Sequence, residues 1–94
     1  MVFAEVKPKS STARKPMPMY RVMLHNDDFN SMEYVIEVLV KTIPAMQPPQ
    51  ARDVMMEAHM NGVALVIVVP QEHAEFYKEQ LQMHGLTSSI EPDC

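Results

Sequence analysis

The sequence predicts an α+β domain with a three-stranded sheet packed against three helices, in the order β-α-α-β-α-β. Three observations carry that prediction. Residues 19–24 alternate in polarity at period two, residues 63–69 form a short β-branched apolar run, and the segments between and after them carry apolar residues at helical spacing. The chain has 94 residues, enough for one small core, and 47% of them are apolar, so nearly all of that content is needed to build it.

The elements follow in order. Residues 1–18 hold Pro8, Pro16, Pro18, Ser10, Ser11 and Thr12 with little apolar periodicity, and read as a flexible N-terminal extension to a core domain over 19–94. Tyr20, Val22 and Leu24 alternate with Arg21 and Met23, the signature of a strand. The first helix starts near Met32, where Asn30 or Ser31 can cap it and Glu33 sits favourably in the first turn. Met32, Val35, Ile36, Leu39 and Ile43 form its apolar stripe, and Pro44 ends it. A second helix opens at Pro48-Pro49, where a missing N–H costs little, and stops at Gly62. Val63–Val69 is continuous and apolar, which predicts a buried central strand closed by Pro70. A third helix is expected from Gln71 to about His84, ending at Gly85, with a last strand over Leu86–Ile90.

Charge and cysteine content narrow the function. The net charge is −4, yet residues 1–18 hold Lys7, Lys9, Arg14 and Lys15 against Glu5 alone, so the body is acidic and the extension basic. Nucleic-acid binding calls for clustered Lys and Arg on a folded face, and an acidic body favours a cationic ligand instead. No run of 18 apolar residues is present to span a bilayer, and the first residues lack the apolar stretch of a secretory signal. The lone Cys94 can form no internal disulfide. A cytoplasmic location, or an organelle stroma, is expected.

Asn26, Asp27 and Asp28 stand between a strand and a helix, and connections held by rigid elements carry sites. A calcium loop is the first chemistry to test, since Asn26, Asp28, Asn30 and Glu37 match ligand positions. The glycine required for its sharp turn is Ser31, and the segment before it reads as strand. His25, His59, His73 and His84 are too scattered for a zinc site. With two glycines there is no phosphate-binding loop, and no nucleophile elbow or Cys–His pairing is evident, so neither catalysis nor a metal or other cofactor is expected.

What remains is a binding site. Asn26 and Asp27 offer a carbonyl and a carboxylate, suited to accept hydrogen bonds from an ammonium. Met55 and His59 lie four apart on one helix face, with the small Ala58 beside them. Ten methionines in a chain this short suit a surface that accepts varied apolar side chains, although each alone could simply fill a core gap. The residues by themselves leave a second possibility open, an α+β interaction domain whose methionine-rich surface binds a partner helix or an internal peptide.

The runs Tyr-Arg-Val-Met-Leu-His-Asn-Asp-Asp-Phe-Asn-Ser-Met-Glu-Tyr-Val and Met-Met-Glu-Ala-His-Met-Asn-Gly resemble the ClpS adaptors over residues 19–91. The resemblance implies an adaptor, not an enzyme, that captures N-degron proteins by a bulky apolar N-terminal residue such as Phe, Leu, Tyr or Trp. It delivers them to a Clp-type AAA+ unfoldase of the ClpA or ClpC kind. It further implies that Asn26, Asp27 and His59 hold the substrate α-ammonium. Met32, Val35, Met55, Ala58 and Leu86 would line the side-chain pocket, with Asp28 and Asn30 at its rim and Met32 as a gate against β-branched residues. Glu72 matches an acidic residue of the unfoldase-facing surface. Three positions depart from the family pattern: Ser31 replaces a frequent proline, Ala58 a larger aliphatic, and Tyr77 a lysine, with Lys78 adjacent.

Overall fold

A computed structural model describes residues 17–93. The flexible extension expected over 1–18 therefore falls, except for Met17 and Pro18, outside the described residues, as does Cys94.

The element order is the expected one: β1 (Met19–His25), α1 (Met32–Thr42), α2 (Pro48–Asn61), β2 (Val63–Pro70), α3 (Gln71–Met83) and β3 (Thr87–Pro92). Local chemistry sets the boundaries. The Ser31 hydroxyl accepts the Tyr34 N–H at 3.1 Å, so Ser31 rather than Asn30 caps α1. Gly62 ends α2 at φ +89°, a left-handed geometry that suits glycine, and donates its N–H to the Ala58 carbonyl at 2.8 Å. Between α1 and α2 the turn at Pro44 places Ala45 at φ 61°, a left-handed position held by a residue that carries a Cβ.

The sheet is antiparallel with strand order β2-β1-β3. The expectation that Val63–Val69 forms the central strand is corrected by this order: β1 is central and β2 lies at an edge. The apolar run arises because Ala64 and Val66 are buried in the core while Leu65 stands 41% exposed on the other face. Apolar content on both faces looks the same in sequence whether the second face is covered or open. The last strand is displaced toward the C-terminus, with Leu86 before it and Ile90 to Pro92 included.

One sheet face and the three helices enclose the core, in which Val22, Leu39, Ala51, Ala74 and Leu81 are completely buried and Val38 nearly so. The chain passes from β1 into the Asn26–Ser31 loop and from α2 into β2 side by side. The Asn26 N–H donates to the Gly62 carbonyl at 3.0 Å, and His25 pairs with Val63. This stitch brings the end of α2 against the acidic loop.

Candidate functional site

A cavity of about 230 Å³ opens where the loop, α1 and α2 meet. Its wall comprises Leu24, His25, Asn26, Asp27, Asp28, Asn30, Met32, Val35, Met55, Ala58 and His59. Nine of the ten residues expected at the site from sequence line this one space. Leu86 is not among these wall residues; it is 4% exposed and packs in the core cluster, as Leu24 and Ala58 also do.

Each wall has a local cause. β1 delivers Leu24 and His25 to the cavity edge and then breaks pairing, leaving Asn26, Asp27 and Asp28 on the loop. The α1 residues Met32 and Val35 share one face of that helix by their spacing of three, and Met55, Ala58 and His59 share one face of α2 by spacings of three and four. Met55 and Ala58 are buried, whereas Met32 is 41% exposed, so Met32 stands at the mouth.

The loop is braced by a carboxylate. Asp27 Oδ1 accepts the Phe29 N–H at 2.9 Å, the Asn30 N–H at 3.1 Å and Asn30 Nδ2 at 3.2 Å, and Oδ2 accepts Asn30 Nδ2 at 3.2 Å. Such side-chain-to-backbone bonds make the Asp27 turn self-supporting. Asn30 Nδ2 also donates to the Gly85 carbonyl at 2.9 Å, and the Tyr34 hydroxyl donates to the His84 carbonyl at 2.6 Å. The loop and the start of α1 are thus tied to the turn between α3 and β3, 55 and 50 residues away in sequence. Asp28 lines the cavity and takes no part in these bonds.

Sequence reasoning missed Leu24 and His25 as wall residues. Their signal was position, since they immediately precede the acidic triplet. His25 Nε2 lies 2.7 Å from Ser89 Oγ, which fixes its ring on the strand pair.

Glu72 lies apart from this cavity. It lines a second one of about 310 Å³ with Met17, Pro18, Pro70, Gln71 and His73, at the N-terminus of α3. Pro70 caps that helix without a side-chain hydrogen bond, so the first-turn N–H groups of α3 have no capping side chain. Among the described residues no group of three or more His, Cys, Asp or Glu is placed to hold a metal ion, and no helix is long and apolar enough to cross a membrane.

The cavity can hold a group that combines positive charge with an apolar side chain. Carbonyl, carboxylate and imidazole groups share its wall with methionine, valine and alanine. Its volume falls below the ~300 Å³ at which sites for drug-sized molecules begin, so it is sized for one amino-acid side chain.

Comparison with known proteins agrees with this architecture. Residues 15–89 match the family described as ATP-dependent Clp protease adaptor protein ClpS. The ATP-dependent Clp protease adapter protein ClpS of Gloeobacter violaceus is 62% identical over 90 residues, covering 96% of this chain and 97% of the relative. The chloroplastic adapter CLPS1 of Arabidopsis thaliana is 53% identical over 81 residues, covering 86% of this chain and 51% of the relative. Among solved structures, Agrobacterium tumefaciens ClpS2 bound to L-phenylalaninamide shares the fold at a TM-score of 0.75 and 36% identity, covering 83% of this chain and 100% of that one.

Proposed function

This chain belongs to the ClpS family of Clp protease adaptors, and from that premise we propose that its cavity captures proteins by a free N-terminal residue with a bulky apolar side chain. The observation that carries the proposal is the joining, in one space of side-chain size, of ammonium acceptors with an apolar wall. That a related ClpS2 binds L-phenylalaninamide, an amino-acid amide with a free α-amino group and a benzyl side chain, supports it.

In this reading Asn26, His59 and Asp27 Oδ2 accept hydrogen bonds from the α-ammonium. Asp27 thereby does two things, since both of its oxygens also accept hydrogen bonds within the loop. Asp28 adds a second carboxylate to the same wall, so the ammonium meets negative charge from two side chains. Stripping water from an ammonium is costly, and these acceptors offset that cost. The first side chain enters between Met32, Val35, Met55 and Ala58, and its burial contributes about 1.5–3 kcal/mol. Neither half suffices alone. An internal residue has no ammonium, and a small or charged first residue leaves the apolar wall unfilled.

Ala58 bears on which residues are accepted. Where a larger aliphatic would narrow the cavity, its methyl group leaves space, favouring Phe, Tyr, Trp and Leu over smaller residues. Met32, half exposed at the mouth and unbranched, adjusts to their shapes but crowds a branch at Cβ.

The captured protein is handed to a Clp-type AAA+ unfoldase, which Glu72 and the N-terminal end of α3 contact. Support comes from their separation from the peptide cavity and from the uncapped first turn beside Glu72. Both surfaces can then be occupied together. Cyanobacterial and chloroplastic relatives fit action in the cytoplasm or the plastid stroma.

The test is fluorescence anisotropy with a labelled peptide beginning with Phe, in free and N-acetylated forms. The free form binds and the acetylated form does not; equal binding of both would sink the proposal. Glu72→Lys should leave peptide affinity unchanged while slowing degradation by the reconstituted protease.

A further inference from the structure

Phe29 is the most exposed large apolar residue among those described, at 96%. Single exposed apolar side chains are ordinary, but this one differs in where it stands and how it is held. Its chain neighbours Asp28 and Asn30 both line the cavity, whereas Phe29 does not. Its N–H is fixed to Asp27 Oδ1 at 2.9 Å, and that of Asn30 to the same oxygen at 3.1 Å, so the ring projects from a braced turn.

Along α2, Met56 and Met60 immediately follow the cavity residues Met55 and His59 in sequence. They are 37% and 74% exposed and lie four apart on one face. Phe29 thus stands between two wall residues on the loop, and Met56 and Met60 each follow a wall residue on the helix.

A peptide whose first side chain fills the cavity must leave through this mouth. We infer that Phe29, with Met56 and Met60, forms an apolar collar that contacts the second and third residues of the bound N-terminus and favours large apolar side chains there. The inference rests on the N-terminal reading of the cavity. An aromatic ring on a braced turn loses little freedom when it is covered, and that lowers the entropic cost of contact. Methionine supplies an adaptable apolar side chain.

The test uses two peptides identical except at position two, Phe-Leu and Phe-Gly, against the native protein and Phe29→Ala. The side chain is exposed, so the substitution should leave the melting temperature unchanged. The native protein should prefer the Phe-Leu peptide by about threefold to tenfold, the range for an aromatic–apolar contact. Phe29→Ala should bring the two within about twofold, chiefly by weakening Phe-Leu, and Met60→Ser should act in the same direction. Equal native affinities, or the same loss on both peptides, would overturn the collar. So would slowed Clp-dependent degradation with the position-two preference intact, which would assign Phe29 to the unfoldase. If neither free peptide binds, the N-terminal reading fails and the collar with it; if both bind without a position-two preference, only the collar fails.

Discussion

Replacing Asp27 by alanine and by asparagine should separate the two jobs of this carboxylate. In the native loop Oδ1 accepts the N–H groups of Phe29 and Asn30 at 2.9 and 3.1 Å, and both oxygens accept from Asn30 Nδ2. Alanine removes every acceptor. Two backbone bonds are worth about 0.5–1.5 kcal/mol each, and their partial exposure favours the lower half of that range, giving about 1–2 kcal/mol. For a domain of this size each kcal/mol moves the melting temperature by about 4–8 °C, so Asp27→Ala should melt about 4–16 °C lower by circular dichroism. Asparagine keeps a carbonyl oxygen at the Oδ1 position and should recover most of that loss. In the binding assay asparagine recovers far less, because the negative charge facing the ammonium is gone. A hydrogen bond to a charged group is worth about 1.5–3 kcal/mol, so both variants should lose about tenfold or more in affinity for a free Phe-peptide. Equal melting temperatures for native protein and Asp27→Ala would refute the brace. Native affinity in Asp27→Asn would refute the role in the clamp.

Further substitutions test other parts of the structure. Ser31→Ala removes the α1 cap and should cost about 1 kcal/mol, read as a melting point about 4–8 °C lower. Ala45→Gly relieves a left-handed position at φ 61°, where a Cβ costs about 1–2 kcal/mol, against an entropic loss of about 0.5–1 kcal/mol; denaturant unfolding should show stability unchanged or raised by up to about 1.5 kcal/mol. Ala58→Leu narrows the cavity from a position only 3% exposed, so titration with Phe- and Trp-initiated peptides should show Trp losing affinity by a larger factor than Phe.

The order of elements was legible because its signals are local. Pro48 at the start of α2, Gly62 at its end and Ser31 before α1 act within a few residues of their own positions. The place of Val63–Val69 in the sheet was not legible, since an edge strand with an apolar outer face and a central strand have the same residue pattern. Leu86 illustrates another limit. Its neighbourhood depends on how the turn after α3 is seated, and it packs in the core cluster without being among the wall residues. That a residue of Asn26–Asp28 could brace the turn was readable, but which one does so was not. Asp27 and Asp28 are the same residue type in adjacent positions, and only the turn geometry shows which carboxylate binds the backbone. By contrast, Met55, Ala58 and His59 could be placed together from helical spacing alone, and the cavity wall contains all three.

The tie from Asn30 to Gly85, with its companion from Tyr34 to His84, bears on when the binding site comes into being. Ribosomal synthesis makes residues 26–59 well before residues 84 and 85, so every wall of the cavity leaves the ribosome before the turn that fastens its loop. Central strand β1 likewise waits for β3 to cover its second edge. A nascent chain thus carries the cavity residues before the turn that fastens their loop, and the braced cavity is complete only once residues 84 and 85 have been made.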